Sequence, residues 1–211
     1  MAQPGTLIIV SGPSGAGKSA LAGRVLESVP GLRFSVSYTT RAPRGFERNG
    51  IEYHFVTRKA LEELIEGEDL LEWAEVYGNL YGTSRRSVDD ILSRGDDVLL
   101  DVDVQGARSI RRKRPDAITV FVLPPSFQVL RERLESRKLD KDYVIEQRLK
   151  IACSETRFYR DYDYLIINDD LGKSIEELRA IILGSRCRMG ARAGAAERIV
   201  TTFGGVNEEN L

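Results

Sequence analysis

A glycine-rich segment near the N-terminus constrains the fold of this chain more than any other stretch. It follows the apolar run Thr6–Val10 and opens a helical pattern over Lys18–Ser28, so it connects a buried strand to a helix. Its eight residues match the spacing G-x-x-x-x-G-K-[ST] in full: Gly12, Pro13, Ser14, Gly15, Ala16, Gly17, Lys18 and Ser19. The segment therefore predicts a strand, a phosphate-binding loop and a helix, in that order.

The chemistry of phosphate binding explains the residue types in this loop. Glycines let the backbone curl so that its N–H groups point inward at a helix N-terminus, which forms an anion site. We expect Lys18 to reach the β- and γ-phosphates and the Ser19 hydroxyl to ligate Mg²⁺. The alternative is a glycine-rich turn without a ligand, and the strand, glycines, lysine and serine in register disfavour it. The loop thus predicts a nucleoside triphosphate with Mg²⁺, but not the reaction.

Short apolar runs alternate with helical patterns along much of the remaining chain. Val98–Leu100, Ile118–Leu123 and Leu165–Ile167 are typical of parallel strands that are covered on both faces, and Leu32–Val36 is a further candidate strand. The predicted helices are Gln105–Arg112, Phe127–Arg137, Val144–Tyr159 and Ser174–Leu183. This alternation predicts the α/β class: a P-loop NTPase core with a mostly parallel sheet and helices on both faces.

The segment Ser37–Tyr81 interrupts that alternation, since it has short strand-like pieces around one helical stretch. We expect a small mixed α/β lobe at 37–83, inserted into a core made of 1–36 and 84–188. A charge-dense stretch predicts a helical lid at about 137–150 within that core. The apolar periodicity is lost after Leu183, so we expect the tail at 189–211 to be at least partly disordered.

The charge, the apolar runs and the cysteines of the chain indicate which partners and which compartment to expect. The net charge of −1 over 211 residues gives no overall attraction to nucleic acid or to an acidic membrane. No run approaches the roughly 20 apolar residues that cross a bilayer, and no secretory signal is recognisable at the start. Cys153 and Cys187 have no metal-ligand spacing and predict free thiols. We therefore expect a cytoplasmic protein without nucleic-acid or membrane partners; the sequence specifies neither a monomer nor a homo-oligomer.

Two arginines in the inserted segment suggest a second phosphate site. Arg41 and Arg44 flank a proline, which keeps the residue before it extended and orients the two guanidinium groups. With the hydroxyl of Tyr53 they suit a phosphomonoester, because arginine binds phosphate oxygens through a planar fork. A solvated basic loop whose charges pair with Glu47 and Glu52 explains the same residues. The residues alone leave both interpretations open.

The run Thr40-Arg41-x-x-Arg44-x-x-Glu47-x-x-Gly50-x-x-Tyr53-x-Phe55 resembles the signature of the guanylate kinase family. Further motifs match in order over about Thr6 to Leu183, and they include Glu72-Trp73-Ala74, Gly78-Asn79-x-Tyr81-Gly82-Thr83, Asp101-Val102-Asp103-x-Gln105-Gly106 and Asn168-Asp169-Asp170. The resemblance implies transfer of the γ-phosphoryl group of ATP to GMP, and to dGMP, giving ADP and GDP in purine nucleotide metabolism.

The resemblance also implies roles for individual residues. Those expected to bind GMP are Ser37, Arg41, Arg44, Glu47, Tyr53, Glu72, Tyr81, Thr83 and Asp103. Asn168 joins the loop in binding ATP. A carboxylate at Glu72 suits guanine, whose N1–H and 2-amino group are adjacent donors, whereas adenine would leave it buried and unpaired. Without the resemblance, Glu72 is better explained as a solvated residue of an amphipathic stretch.

The remaining predicted site residues concern the metal and the transferred phosphate. Asp101 ends an apolar strand, where a carboxylate supports Mg²⁺ directly or through water, although it and Asp103 could instead cap the next helix. Arg133 and Arg137 are four apart on a predicted helix and share a face. The resemblance implies that they and Arg148 form a lid over the triphosphate, and that catalysis depends on Lys18, Arg41, Arg133, Arg137 and Arg148. Lys138 stands where the family usually has glycine.

Parts of this pattern also occur in proteins with two other functions. Guanylate-kinase-like domains also serve as scaffolds that bind proteins and have lost catalysis, typically with a degraded phosphate loop, whereas Lys18 and Ser19 are intact here. A P-loop kinase for another phosphorylated acceptor, such as a sugar phosphate, is disfavoured by Glu72, Thr83 and the tyrosine pair.

Overall fold

The computed structural model describes residues 4–76, 78–136 and 142–203. Its strands are β1 (Leu7–Ser11), β2 (Leu32–Phe34), β3 (Tyr38–Thr39), β4 (His54–Phe55), β5 (Leu70–Val76), β6 (Asn79–Ser84), β7 (Asp97–Asp101), β8 (Ile118–Leu123) and β9 (Tyr164–Ile167). Its helices are α1 (Lys18–Ser28), α2 (Arg58–Glu66), α3 (Arg85–Ser93), α4 (Val104–Lys113), α5 (Phe127–Ser136), α6 (Asp142–Glu155), α7 (Leu171–Ser185) and α8 (Met189–Thr201), with a 3₁₀ helix at Thr156–Asp161.

Five parallel strands form the main sheet in the order β2-β7-β1-β8-β9. All five residues of β1 are buried, as expected for the central strand of a sheet covered on both faces. Val10 pairs with Asp101, so the carboxyl ends of β1 and β7 lie side by side. This register brings the start of the phosphate loop, which follows β1, next to the carboxylate that ends β7.

Helices cover both faces of this sheet. Alternate residues of β1 enter two different hydrophobic clusters because strand side chains point to opposite faces. Ile8 lies in the cluster that α1 and α7 complete, and Ile9 lies in the cluster that α3 and α4 complete. The predicted α/β class with a parallel sheet and helices on both faces is therefore confirmed.

A second sheet, with the order β4-β3-β6-β5, forms the small mixed lobe. β3 pairs parallel with β4 and antiparallel with β6, and β6 pairs antiparallel with β5. α2 supplies Leu61 to a separate core with Leu70 and Leu80. The next residue, Leu71, belongs instead to the α3–α4 cluster of the main sheet. β5 is thus anchored in both cores.

α5 and α6 pack through a cluster of their own. Leu130 and Leu134 on α5 contact Ile145, Leu149 and Ala152 on α6. The predicted lid at about 137–150 includes the first part of α6. Arg137 and Lys138 lie outside the residues that the structure describes.

The structure differs from the sequence predictions in two segments. α3 was not predicted, although Val88 and Leu92, four apart, provide its buried face. The tail was expected to be at least partly disordered; within it, Met189–Thr201 form α8. None of the residues of α8 is buried, so the helix lacks the apolar stripe that makes a helix recognisable in a sequence. Among the described residues, no helix combines the length and the apolar character needed to span a membrane.

Candidate active site

The backbone of the phosphate loop can be formed only with glycine at key positions. Gly12 and Gly17 have φ angles of 140° and 95°, a region that other residues rarely adopt. A Cβ on Gly17 would also lie 2.3 Å from Asn168 Nδ2. The loop backbone is therefore curled, as an anion-binding loop requires, and Asn168 packs closely against Gly17.

The first turn of α1 differs from the starts of several other helices. α2, α3, α4 and α7 each begin with a side chain that accepts a hydrogen bond from the first turn, from Thr57, Ser84, Asp103 and Asp170 respectively. α1 begins with Gly17, which has no side-chain cap. Since the first N–H groups of a helix have no intrahelical acceptor, those of α1 can receive an anion instead.

Lys18 lies folded over the loop. Its ammonium Nζ donates hydrogen bonds to the carbonyl oxygens of Gly12 at 2.8 Å and Pro13 at 3.2 Å. The positive charge is thus held above the loop amides, where the terminal phosphates of a bound triphosphate would lie.

Ser19 and Asp101 form a candidate magnesium pair. The Ser19 hydroxyl donates to Asp101 Oδ2 at 2.6 Å, so the two predicted metal-binding side chains are in direct contact. Mg²⁺ prefers oxygen ligands and usually takes only one or two from protein, with water and phosphate oxygens as the others. In the part of the chain that the structure describes, no cluster of three or more His, Cys, Asp or Glu residues offers an alternative metal site. The donor set therefore fits a magnesium ion that is shared with a nucleotide.

Glu72 is a buried carboxyl group in the small lobe. Its Oε1 accepts a hydrogen bond of 2.6 Å from Thr83 Oγ1, which lies 3.5 Å from Ser37 Oγ. Burial raises the pKa of Glu72 to about 7, Asp103 acts in the same direction, and the Thr83 hydrogen bond opposes them. The alternative of a solvated Glu72 is wrong, because only 7% of the residue is exposed. A buried carboxyl group beside a cavity suits a ligand that donates hydrogen bonds.

Asp103 caps α4. Its Oδ1 accepts a hydrogen bond of 2.7 Å from Gly106 N, whereas Asp101 contacts Ser19. Of the two functions considered for these aspartates, helix capping therefore applies to Asp103. Asp103 also lines the cavity beside Glu72, and its predicted contact with guanine stays a prediction.

Arg41 is held by an acidic partner within its own loop. Its guanidinium group donates to both carboxylate oxygens of Glu47 at 3.0 Å, and Glu47 also accepts from Arg44 N at 2.7 Å. The guanidinium lies 5.4 Å from the ring centroid of Tyr53, whose ring is 5.9 Å from that of Tyr81. The ion pair between Arg41 and Glu47, which the alternative of a solvated basic loop predicted, therefore forms. Arg41 itself is not solvated, since only 11% of its side chain is exposed. The Arg44 side chain is exposed.

Arg133 and Asn168 support the phosphate loop. Asn168 is buried and donates through Nδ2 to the carbonyl of Ala16 at 2.7 Å. Arg133 donates to the carbonyl of Asn168 at 2.8 Å and to that of Ala16 at 3.4 Å. The predicted contacts of these two residues with ATP stay predictions. Their hydrogen bonds to the carbonyl of Ala16 hold the loop in place. Arg148 lines the large cavity above the loop.

The phosphate loop and the small lobe face one cavity of about 800 Å³. Gly12, Ser14 and Lys18 from the loop line it together with Trp73–Val76 of β5. A second cavity, lined by Ser37, Glu72 and Tyr81, shares the residues Tyr53, Ala74, Val76, Asp101, Val102 and Asp103 with it. The two cavities therefore adjoin each other.

Sequence reasoning missed several side chains that line the large cavity, among them Trp73, Gln147, Ile151 and Glu155. Gln147, Ile151 and Glu155 belong to α6, where a polar or half-buried position has no distinguishing pattern. Only the packing of α6 on α5 places them over the loop.

A parallel sheet with a phosphate loop at its carboxyl edge, a serine–aspartate pair beside that loop and a second polar cavity define a P-loop phosphotransferase. Comparison with known proteins then identifies the family. The model of the guanylate kinase family matches residues 4–184, and the chain belongs to that family.

Individual relatives agree with this assignment. The guanylate kinase of Koribacter versatilis is 49% identical over 87% of this chain and 80% of its own length. That of Myxococcus xanthus is 46% identical over 88% and 89%. The crystal structure of guanylate kinase from Anaplasma phagocytophilum superposes with a TM-score of 0.79 at 31% identity, covering 98% of this chain and 99% of that one.

Proposed function

We propose that this protein transfers the γ-phosphoryl group of ATP to GMP, and to dGMP, and releases ADP and GDP. The adjacency of the two cavities carries this proposal, because a phosphate loop in one and a buried carboxyl in the other suit two nucleotides meeting phosphate to phosphate. The alternative of a scaffold without catalysis is disfavoured by the intact loop and by the contact between Ser19 and Asp101.

The site residues divide into two groups in this proposal. The loop amides and Lys18 bind the β- and γ-phosphates, and Arg41, Arg44, Tyr53 and Tyr81 bind the phosphate of GMP. Mg²⁺ held by Ser19 and Asp101, directly or through water, would neutralise charge on the triphosphate oxygens. The acceptor phosphate is already ionised at neutral pH, so the transfer needs alignment and charge stabilisation and no general base.

The lid and the small lobe complete the site on closure. Arg148 on α6 and Trp73–Val76 on β5 of the small lobe line the same cavity. We expect their approach to expel water and to bring the acceptor phosphate into line with the γ-phosphate. Arg133 and Asn168 would keep the loop rigid while the lid moves. We also place the protein in the cytoplasm, where both nucleotides are available.

A panel of acceptors tests the proposal. Purified protein with ATP and Mg²⁺ should phosphorylate GMP and dGMP and leave AMP, CMP and UMP nearly unchanged, measured as ADP formation and product identity by chromatography. Glucose 6-phosphate added to the same panel tests a sugar-phosphate acceptor. ADP formation that does not depend on any added acceptor, or that is fastest with AMP, would exclude GMP as the substrate.

Arg41→Ala should raise the KM for GMP by about 100-fold, because it removes a charge-assisted contact with the acceptor phosphate worth roughly 1.5–3 kcal/mol. The KM for ATP should change little. Arg48→Ala, an exposed arginine in the same loop, serves as the matched control. Steady-state kinetics with each substrate varied separately give both constants, and an unchanged KM for GMP would show that Arg41 does not contact the acceptor phosphate.

A further inference from the structure

α4 contacts three successive residues of β5, from Leu70 to Glu72. The ammonium Nζ of Lys113, the last residue of α4, donates a hydrogen bond of 3.0 Å to the carbonyl oxygen of Leu70. Leu71 is buried in a hydrophobic cluster to which α4 also contributes. A Cβ on Gly106 would lie 3.1 Å from Glu72 Oε2, so the helix backbone passes directly beside the carboxylate. The position of Glu72 therefore depends on how β5 is held against α4.

The hydrogen bond from Lys113 meets β5 where the strand is irregular. The pairing with β6 shifts its register between Leu70 and Glu72, and β5 lies at the edge of its sheet. Such an irregularity interrupts the ladder and redirects the side chains beside it, here the buried carboxyl of Glu72. A bond to the Leu70 carbonyl therefore stabilises the segment that sets the direction of this carboxyl.

Lys113 and its neighbour Arg112 form a natural comparison. Lys113 is exposed and lines neither the cavity of the phosphate loop nor that of Glu72, so an effect on nucleotide binding must act through β5. Arg112 is also an exposed cation of α4, but its Nε donates to the carbonyl of Arg108 within the same helix. The two adjacent cations thus differ in the contact that Lys113 makes with β5.

We propose that Lys113 is a positioning residue for the acceptor site, which holds β5 so that the carboxylate of Glu72 stays in place for the base of GMP. The inference rests on the proposed function in that Glu72 binds guanine. Two adjacent hydrogen bonds from one base require a fixed carboxylate, and a displaced one loses both. Loss of the Lys113 bond should therefore weaken the binding of GMP and leave the binding of ATP at the phosphate loop unchanged.

Steady-state kinetics with each substrate varied separately test this role. Lys113→Met should raise the KM for GMP by about fivefold, since one charge-assisted hydrogen bond near the surface contributes modestly. The KM for ATP should stay the same. Lys113→Arg keeps a donor at this position and should bring the KM for GMP back to within about twofold of the wild type. Arg112→Met removes the adjacent charge and should match the wild type in both constants.

Amide hydrogen exchange of the protein without nucleotide measures the same contact independently. Peptides that cover Leu70–Val76 should exchange faster in Lys113→Met than in wild type or Arg112→Met, because the segment has lost a bond that holds it closed. Circular dichroism with thermal melts shows that each variant is folded.

An unchanged KM for GMP in folded Lys113→Met would overturn the proposal. Equal increases in the KM for GMP and for ATP, or a Lys113→Arg variant as impaired as Lys113→Met, would do the same. Absence of GMP phosphorylation by the wild type would instead contradict the proposed function. Exchange in β5 would then still decide whether Lys113 holds the strand, and an exchange rate that is unchanged in Lys113→Met would show that it does not.

Discussion

Lys18→Ala should lower kcat by about 10³-fold and leave the fold intact. Removal of one preorganised charge at a transferring phosphoryl group has effects of about this size, because the transition state spreads charge over the γ-phosphate oxygens. The ammonium of Lys18 lies within 3.2 Å of two loop carbonyls, so it is already held near the position where that charge develops. A coupled assay for ADP with saturating GMP measures the loss.

Lys173→Ala is the matched control for this variant, since it removes an exposed lysine from the start of α7. Its kcat should equal that of the wild type. Thermal unfolding of both variants followed by circular dichroism shows whether the change is confined to catalysis. A Lys18→Ala enzyme that keeps a tenth or more of the wild-type kcat would contradict the assignment of Lys18 to phosphoryl transfer.

Glu72→Gln should raise the KM for GMP by about 100-fold. Guanine presents two adjacent donors, and a glutamine amide offers one acceptor and one donor, so one buried donor is left facing another. The residue is almost completely buried, which prevents water from compensating for the mismatch. Glu63→Gln, on the exposed surface of α2 in the same lobe, should leave the KM unchanged.

The same carboxyl makes binding of GMP depend on pH. The pKa of Glu72 is raised from 4.5 to about 7, mainly by burial, with Asp103 acting in the same direction and Lys113 opposing it. Because guanine donates to the ionised form, the affinity for GMP should fall as the pH drops below about 7, by up to about tenfold per pH unit.

Calorimetry from pH 5.5 to pH 8 measures this dependence. The GMP phosphate itself titrates near pH 6, at about its usual pKa, in every variant. In Glu72→Gln, only this phosphate contribution should remain, and an identical pH profile in wild type and variant would show that Glu72 does not titrate on binding. The free energy of unfolding should depend on pH in the opposite direction, falling as the pH rises. A proton held more tightly by the folded state stabilises it at low pH, and that stabilisation is lost as the pH rises from 4.5 to about 7.

The sequence predicted the sheet and the phosphate loop well because local rules determine them. Strand, glycines, Lys18 and Ser19 are contiguous, and the contact between Ser19 and Asp101 follows from two strands ending at one edge of a parallel sheet. Asp103 was less certain, since the same carboxylate could serve a ligand or cap a helix. Only the bond to Gly106 N established that it caps α4.

Packing between segments that are distant in the sequence determines the contacts that could not be predicted. Asn168 was expected to contact ATP, yet its amide supports Ala16 from a position 152 residues further along the chain. Glu155 was not singled out, because nothing in its neighbourhood in the sequence indicates that the end of α6 lines the cavity of the phosphate loop. The burial of Glu72 likewise depends on the N-terminal turn of α4, where a Cβ on Gly106 would lie 3.1 Å from the carboxylate.

The division of β5 between two cores has a mechanical consequence. Leu70 packs with α2 in the small lobe, and its neighbour Leu71 packs with the helices of the main sheet. The strand pairing is irregular between Leu70 and Glu72, and such an irregularity interrupts the hydrogen-bonded ladder. A rotation of the lobe that preserved both cores would bend β5 at this segment, next to the buried carboxyl of Glu72. Movement of the lobe about this segment would therefore displace Glu72 far less than the tip of the lobe.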